Sequence, residues 1–495
     1  MTDLPPLRKD RTRALVIGSG LTGAIAANRL ALAGVQTIVL ERGRRWTVDS
    51  DGDTFPAFFS PDKRTSWLAT SPTFPQSPPA LFEKYAGLVD LVKGDNIDIV
   101  CGAGVGGTSL VFAGMLMKPD AKLFATIFPA GVDYQRMADE YYPRVAERLG
   151  AATVPDDLLE HERYTSSRLF LEHAASSGLE GHRTPVAVDW NIVRDELDGT
   201  RTASATVGNH LYGINSGARN STDRNYLAEA EETGAAEVRP LHVVTEIAAA
   251  GGKYVARGRR IDESGAIEEL FEITTDALVL AAGSAGTSKL LVRARATGAI
   301  PSLNDEVGRH WGNNGNRLFI RVNVPEKTMA RQGGPGCTVI TEWQRPVPAT
   351  VEHGPAPVPA EAHLMSVAGM GIPDRLGRWV YEQRQDDVRL RWPYSGDATA
   401  QRAIREVLKA LTDSTGGMVT DLNAFRNYTW HPLGGAVLGK ACDWYGRVVN
   451  TPGLYVMDAA LVPGHTGCCN PAWTLAALAE RCLDEVLDKD PGVLF

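Results

Sequence analysis

The clearest pattern of apolar and polar positions lies near the start of the chain. Residues 14–17 form a continuous apolar run, as expected of a strand buried on both faces. Gly18-Ser19-Gly20-Leu21-Thr22-Gly23 follows as a turn, then an apolar stretch, 24–32, predicts a helix that Gly34 closes. Residues 36–40 predict a second strand ending at Glu41. This is a β-α-β unit. A second unit of the same kind is predicted from the apolar run 277–282, a glycine turn at 283–287 and a helix over 288–295. Residues 238–247 are also strand-like.

Elsewhere the pattern is less regular. Residues 45–93 are rich in Pro, Phe and Trp, weakly periodic, and read as a loop-rich insertion. Residues 129–149 and 164–177 predict helices. From 317 to about 392 the runs shorten and alternate, as in 318–323 and 388–392, which predicts an antiparallel sheet with one covered face. Five prolines mark 346–359 as irregular. Residues 398–411 predict an amphipathic helix. Near the C-terminus a strand, 454–458, ends in Asp458, and Asn470-Pro471 opens a helix running to 487. Asn is a favoured N-cap and Pro a favoured first helical residue.

A chain of 495 residues exceeds one ordinary core and predicts two domains. It is 43% hydrophobic and 22% charged, with a net charge of −8 and no basic stripe, which argues against nucleic-acid binding. The uncharged stretch 99–117 has the length of a membrane helix, but it holds five glycines. Its Gly104-Val105-Gly106-Gly107-Thr108-Ser109 reads instead as a phosphate or flavin loop, so no transmembrane segment is predicted. The first residues are polar with no apolar signal region, and the expectation is a cytoplasmic protein. The six cysteines have no metal spacing; reduced thiols and no metal site are expected.

The candidate chemistry sits at the two ends of the chain. Gly18 and Gly20 allow a tight turn and a close approach to a pyrophosphate, while Gly23 lets the helix pack on the strand. Glu41 can accept both ribose hydroxyls, which disfavours a 2′-phosphate. At the other end, His431 lies in Trp430-His431-Pro432-Leu433-Gly434-Gly435, and Asn470 lies between Cys469 and Pro471. Oxidising an alcohol removes a hydride from carbon and a proton from the hydroxyl. An imidazole can orient or deprotonate that hydroxyl, and an asparagine amide can hydrogen-bond the same oxygen.

Together these segments resemble the glucose–methanol–choline (GMC) oxidoreductases, and within them the non-covalent FAD cholesterol oxidases. The resemblance runs from about Arg13 to Leu487. Its carriers are the two glycine loops, Ser221–Leu227, Ala282–Arg295, Gly312–Asn316, His431–Lys440 and Asn470–Arg481. It implies an α/β fold, with a Rossmann-like FAD-binding domain drawn from 1–45, 95–130, 220–310 and 440–495. A substrate domain with a large antiparallel sheet would then use 46–94, 131–219 and 311–439. It implies FAD, contacted by Gly104, Gly107, Thr108, Ser109, Gly114, Met115, Asp458, Ala459, Asn470 and Pro471, with Val244 at the adenine. The helix after Asn470 would point its positive end at the flavin.

The same resemblance assigns catalysis to His431 and Asn470, and matches Glu352 to a glutamate that moves a proton between two steroid carbons. Phe112, Trp430 and Trp473 are candidate pocket walls. Three positions depart from the pattern: Phe112 replaces an asparagine, Ala459 replaces a glycine, and Cys468-Cys469 adds a residue before Asn470. The function implied is oxidation of a secondary alcohol on a hydrophobic, polycyclic substrate, with O2 or another electron acceptor, and possible double-bond migration. The alternative is a non-redox isomerase or cyclase using His431 and Glu352 as acid and base.

Overall fold

The computed structural model describes residues 5–49, 52–129 and 131–495. The apolar run at 14–17 is the buried end of a longer strand, Leu7–Ile17, whose first half is largely exposed. The length comes from its partner. The strand Ile267–Leu280 runs parallel to it, from Leu7 opposite Leu270 to Ile17 opposite Leu280, so the polar residues 8–13 join a ladder that their own hydropathy does not announce. Thr37–Leu40 and Ala236–Arg239 extend this parallel sheet on one side, and Leu454–Val456 pairs with the far end of Ile267–Leu280. Lys253–Ile261 and His242–Ala250 complete it as an antiparallel flap. The helix Leu21–Leu32 covers the sheet and packs against the C-terminal helix, Pro471–Lys489.

A second sheet of six strands is antiparallel throughout. Its order is Met418–Asp421, Arg317–Val322, Met365–Met370, Ala349–Gly354, Thr338–Glu342 and Gly181–Arg183. One face is covered by the helices Thr165–Ser176 and Ala398–Thr415 through a core that includes Phe170, Phe319, Val351, Val367 and Ile404. Side chains alternate along strands with a period of two. Their immediate neighbours, Leu318, Ile320, Glu352, Ser366 and Ala368, therefore point to the other face, which is the floor of a large cavity. The fold is thus α/β, with a mostly parallel sheet joined to a large antiparallel one.

Several expected elements differ in detail. The strand-like stretch 238–247 is two strands broken at Pro240 and Leu241, where Leu241 takes a φ of +59°. The expected glycine turn at 283–287 is already the first turn of the helix Gly283–Ala296. Helix within 129–149 begins at Tyr134; residue 130 lies outside the described residues. Residues 388–392 do alternate, but in a separate hairpin of Arg378–Glu382 with Asp387–Arg391. The proline-dense stretch is not irregular throughout. Between its prolines runs Ala349–Gly354, an internal strand paired on both sides. All five prolines fall outside that strand, so its ladder loses no N–H donor. The stretch 99–117 is a strand end, a glycine turn and a short 3₁₀ helix, and no helix among the described residues is long and apolar enough to cross a membrane.

Candidate active site

The cavity has a volume of about 1110 Å³. The parallel sheet meets it at the carboxyl ends of its strands, Ile17 and Leu40, and the antiparallel sheet supplies the floor. His431, Asn470 and Glu352, which come from three separate elements, all line it. Each is nearly buried, at 8%, 8% and 6% exposure, and each carries a polar atom with no protein partner: His431 Nδ1, Asn470 Oδ1 and Glu352 Oε1. Buried polar atoms are normally paired, so three orphans on one cavity mark a place prepared for a ligand.

One turn braces two of these residues. Asn314 donates from Nδ2 to the Cys469 carbonyl at 2.8 Å, and its Oδ1 accepts from the Thr466 amide at 2.9 Å. This pins the backbone immediately before Asn470. Asn316 Oδ1 accepts from the Trp430 amide at 3.3 Å and from Thr429 Oγ1 at 3.3 Å, and Thr429 Oγ1 in turn accepts from the His431 amide at 3.0 Å. The Gly312–Asn316 motif therefore sets both the imidazole and the amide. Asn470 does occupy the N-cap position of its helix, but its side chain makes no capping bond. The expectation of a side-chain cap is corrected: that side chain lines the cavity beside Glu352 instead.

Burial sets the charge state of the three groups. It pushes the Glu352 carboxyl up to about 8, against a smaller opposite effect of the Asn470 amide. It pushes His431 down to about 3, so the free imidazole is neutral over the physiological range. His353, the neighbour of Glu352, turns its ring to the helix side, where Nε2 pairs with Ser166 Oγ at 2.8 Å. Glu361 is a loop anchor that accepts from the Thr328, Met329 and His363 amides.

The same cavity has the features of a dinucleotide cradle. Gly18 has a φ of +100°, and a Cβ there would lie 2.3 Å from the Ala281 carbonyl oxygen. Gly107 has a φ of +56°, and a Cβ there would lie 2.5 Å from the Cα of Gly20. The two glycine loops therefore touch backbone to backbone, and only glycine permits it. Gly20 caps the helix Leu21–Leu32 with no side-chain bond to its first amides, which leaves that N-terminus open to an anion. Glu41 lines the cavity, while its carboxylate also accepts from Ser19 Oγ at 2.7 Å and from the Gly43 amide at 2.9 Å. Thr108, Ser109, Gly114, Met115, Val244, Asp458, Ala459 and Pro471 line the cavity as well. Asp458 is buried, bonded to Thr287 and to the Ala460 amide, and burial raises it to about 6. This donor set fits a long, polar-ended dinucleotide such as FAD.

Three candidates stand elsewhere. Gly23 does not line the cavity; it is the contact between helix and strand, where a Cβ would lie 2.1 Å from the Gly18 carbonyl oxygen. Gly104 also lies behind the wall. Its amide donates to Glu41 at 3.3 Å and a Cβ would strike Leu110 and Trp46. Trp473 is no pocket wall. Its indole N–H donates to the Tyr142 carbonyl at 2.7 Å and its ring packs edge-on against Tyr142, because position 473 falls on the side of the C-terminal helix that faces 134–148. Phe112 and Trp430 do line the cavity. Sequence reasoning missed Phe58, Phe59, Phe74 and Gln76, which the loop-rich insertion contributes to the wall. The high Pro, Phe and Trp content was the available signal.

A glycine cradle for a dinucleotide, opening into an apolar chamber with an imidazole, an amide and a carboxyl, defines the class: a cofactor-dependent oxidoreductase. The chain belongs to the GMC oxidoreductase family, whose N-terminal model matches residues 12–308 and whose C-terminal model matches 383–479. It is an FAD-dependent oxidoreductase. It is 22% identical to a cholesterol oxidase of Acinetobacter baumannii, over 96% of this chain and 94% of the relative. It is 25% identical to a cholesterol oxidase of Mycobacterium tuberculosis (strain ATCC 25618 / H37Rv), over 94% and 89%. Among solved structures it resembles a fungal aryl-alcohol oxidase, with a TM-score of 0.66 and 13% identity over 97% of this chain and 99% of that one. It also resembles pyridoxine 4-oxidase from Mesorbium loti, with a TM-score of 0.63 and 14% identity over 96% and 99%.

Proposed function

We propose that the protein oxidises a secondary alcohol carried on a hydrophobic, polycyclic skeleton to the ketone. The observation that carries this reading is the meeting of His431, Asn470 and Glu352, each with an unpaired buried atom, on one apolar cavity that also holds the dinucleotide cradle. In this reading 1–45, 95–130, 220–310 and 440–495 hold FAD, and the remaining segments hold the alcohol. Bound FAD supplies the two-electron acceptor for the hydride that leaves the carbon. The protein's part is the hydroxyl. Neutral His431 accepts its hydrogen bond or its proton, and the Asn470 amide holds the same oxygen, which fixes the direction of the C–H bond. The aromatic walls exclude water.

Glu352 supports a second step. It stands on the cavity floor beside Asn470, the residue assigned to hold the hydroxyl oxygen. A carboxylate there can carry an α-proton from one carbon to another and so conjugate a double bond. Burial keeps this carboxyl mostly protonated at pH 7, and the base form grows as pH approaches about 8. A buried neutral carboxyl is also the feature that would serve a non-redox acid-catalysed isomerase. One experiment separates the readings: an anaerobic visible spectrum during mixing with a 3β-hydroxysteroid and with a panel of terpenoid alcohols. Bleaching of the flavin band supports alcohol oxidation, and readmitted air then tests O2 as the acceptor. Product formed with the flavin still oxidised would overturn it in favour of the isomerase.

A further inference from the structure

The wall that the insertion gives to the cavity is aromatic, and Gln76 stands in it. Phe58, Phe59 and Phe74 line the same cavity, with Phe58 and Phe74 at 6.2 Å between centroids. Gln76 also lines the cavity. One end of its amide is committed: Nε2 donates to the Tyr428 hydroxyl. The other end, Oε1, is buried with no partner. A buried amide oxygen without a hydrogen bond is unfavourable until something pairs it. Nothing in the proposed oxidation uses it.

The position of this amide is fixed relative to the chemistry. Tyr428 is fully buried. Its ring meets that of Trp430 at 5.8 Å, and Trp430 meets His431 at 6.0 Å. Gln76 is therefore keyed to the imidazole through a row of rings, at the Tyr428 end of that row and away from His431. We infer that this cavity binds an alcohol carrying a second hydroxyl, remote from the carbon that is oxidised and held by the Gln76 amide. The reasoning rests on the proposed oxidation of a polycyclic alcohol. A hydroxyl is the complementary group because it both donates and accepts. It satisfies the amide whichever of its two ends is turned toward Tyr428. An apolar chain in the same place leaves the orphan unpaired.

The test compares two 3β-hydroxysteroids that differ only by a hydroxyl on the terminal ring opposite the 3-position, using the FAD-loaded protein and anaerobic flavin reduction. Wild type should take the diol with a KM about tenfold lower than the mono-alcohol, the equivalent of one hydrogen bond recovered. In Gln76→Met, which keeps the length and removes both polar atoms, the KM ratio should fall to about one. A merely structural role for Gln76, through Tyr428, would change both substrates alike and leave the ratio. Equal KM values in wild type, with the mono-alcohol still reducing the flavin, overturn this inference and spare the proposed function. A preference that survives in Gln76→Met also overturns it. Failure of both alcohols to reduce the flavin removes the proposed function and this inference with it.

Discussion

Glu352→Gln separates stability from catalysis at a single atom pair. In wild type, burial raises this carboxyl from 4.5 to about 8. The unfolded chain gives up the proton above 4.5, while the folded chain keeps it until about 8. The folded state thus binds more protons across that window, so its stability falls as pH rises through it. The favourable contribution is complete below 4.5 and gone above 8. Each pH unit inside the window costs about 1.4 kcal/mol, which amounts to about 3 kcal/mol by pH 7. Glutamine fills the same space, can still meet Asn470, and does not titrate. Both proteins share every other ionisable group, so the difference between them isolates this one. Urea unfolding of the FAD-loaded proteins should give similar stabilities near pH 4.5. By pH 7 the variant should be ahead by roughly 2–3 kcal/mol. A gap that stays constant from pH 5 to 8 would show that Glu352 ionises normally and would refute the argument. The catalytic consequence has the opposite sign. The base form appears only as pH approaches 8, so double-bond migration in wild type should accelerate with pH up to that point. Alcohol oxidation, which uses an imidazole neutral above about 3, should not follow that rise. Glu352→Gln should stop at the unconjugated ketone; conjugated product from this variant would remove Glu352 from the mechanism.

Four further outcomes are expected. His431→Ala should slow anaerobic flavin reduction by about 10²–10⁴-fold with FAD still bound, and an unchanged rate would exclude the assigned role. Asn314→Ala removes the brace before Asn470 and should cost about 1–3 kcal/mol of stability. It should also slow flavin reduction at normal FAD content, and full activity would show that Asn470 needs no such brace. Gly107→Ala forces a Cβ to within 2.5 Å of the Gly20 backbone and should yield protein without flavin absorbance; an FAD-replete variant would contradict the touching-loop arrangement. Trp473→Phe loses the bond to Tyr142 but lies off the cavity, so stability should fall while KM for the alcohol holds. A raised KM would return Trp473 to the pocket wall.

The parts of this molecule that could be read from its sequence are those whose information is local. A strand, a glycine turn, a helix and an acid at close spacing carry their own geometry, and Gly18, Gly20 and Glu41 stand where that spacing puts them. His431 and Asn470 were legible because each sits in a short motif of unusual composition. Other features depend on partners far along the chain. Residues 7–13 become strand because Ile267–Leu280 is long enough to receive them. Glu352 reads as a loop glutamate among prolines until Thr338–Glu342 and Met365–Met370 bracket it; two-residue alternation then turns it to the cavity and His353 to the helices. Trp473 follows Asn470 by three residues in the first turn of the helix, and its ring meets Tyr142 and not the cavity, a choice of neighbour that no composition argument resolves. The insertion is the extreme case. Its prolines and aromatics have no period, because their order is imposed by the cavity they enclose and not by a repeating backbone. Gln76 can be recognised only after Tyr428, 352 positions away, has taken one end of its amide and left the other without a partner. The part of the cavity wall that is hardest to read is therefore supplied by the segment whose sequence pattern says least.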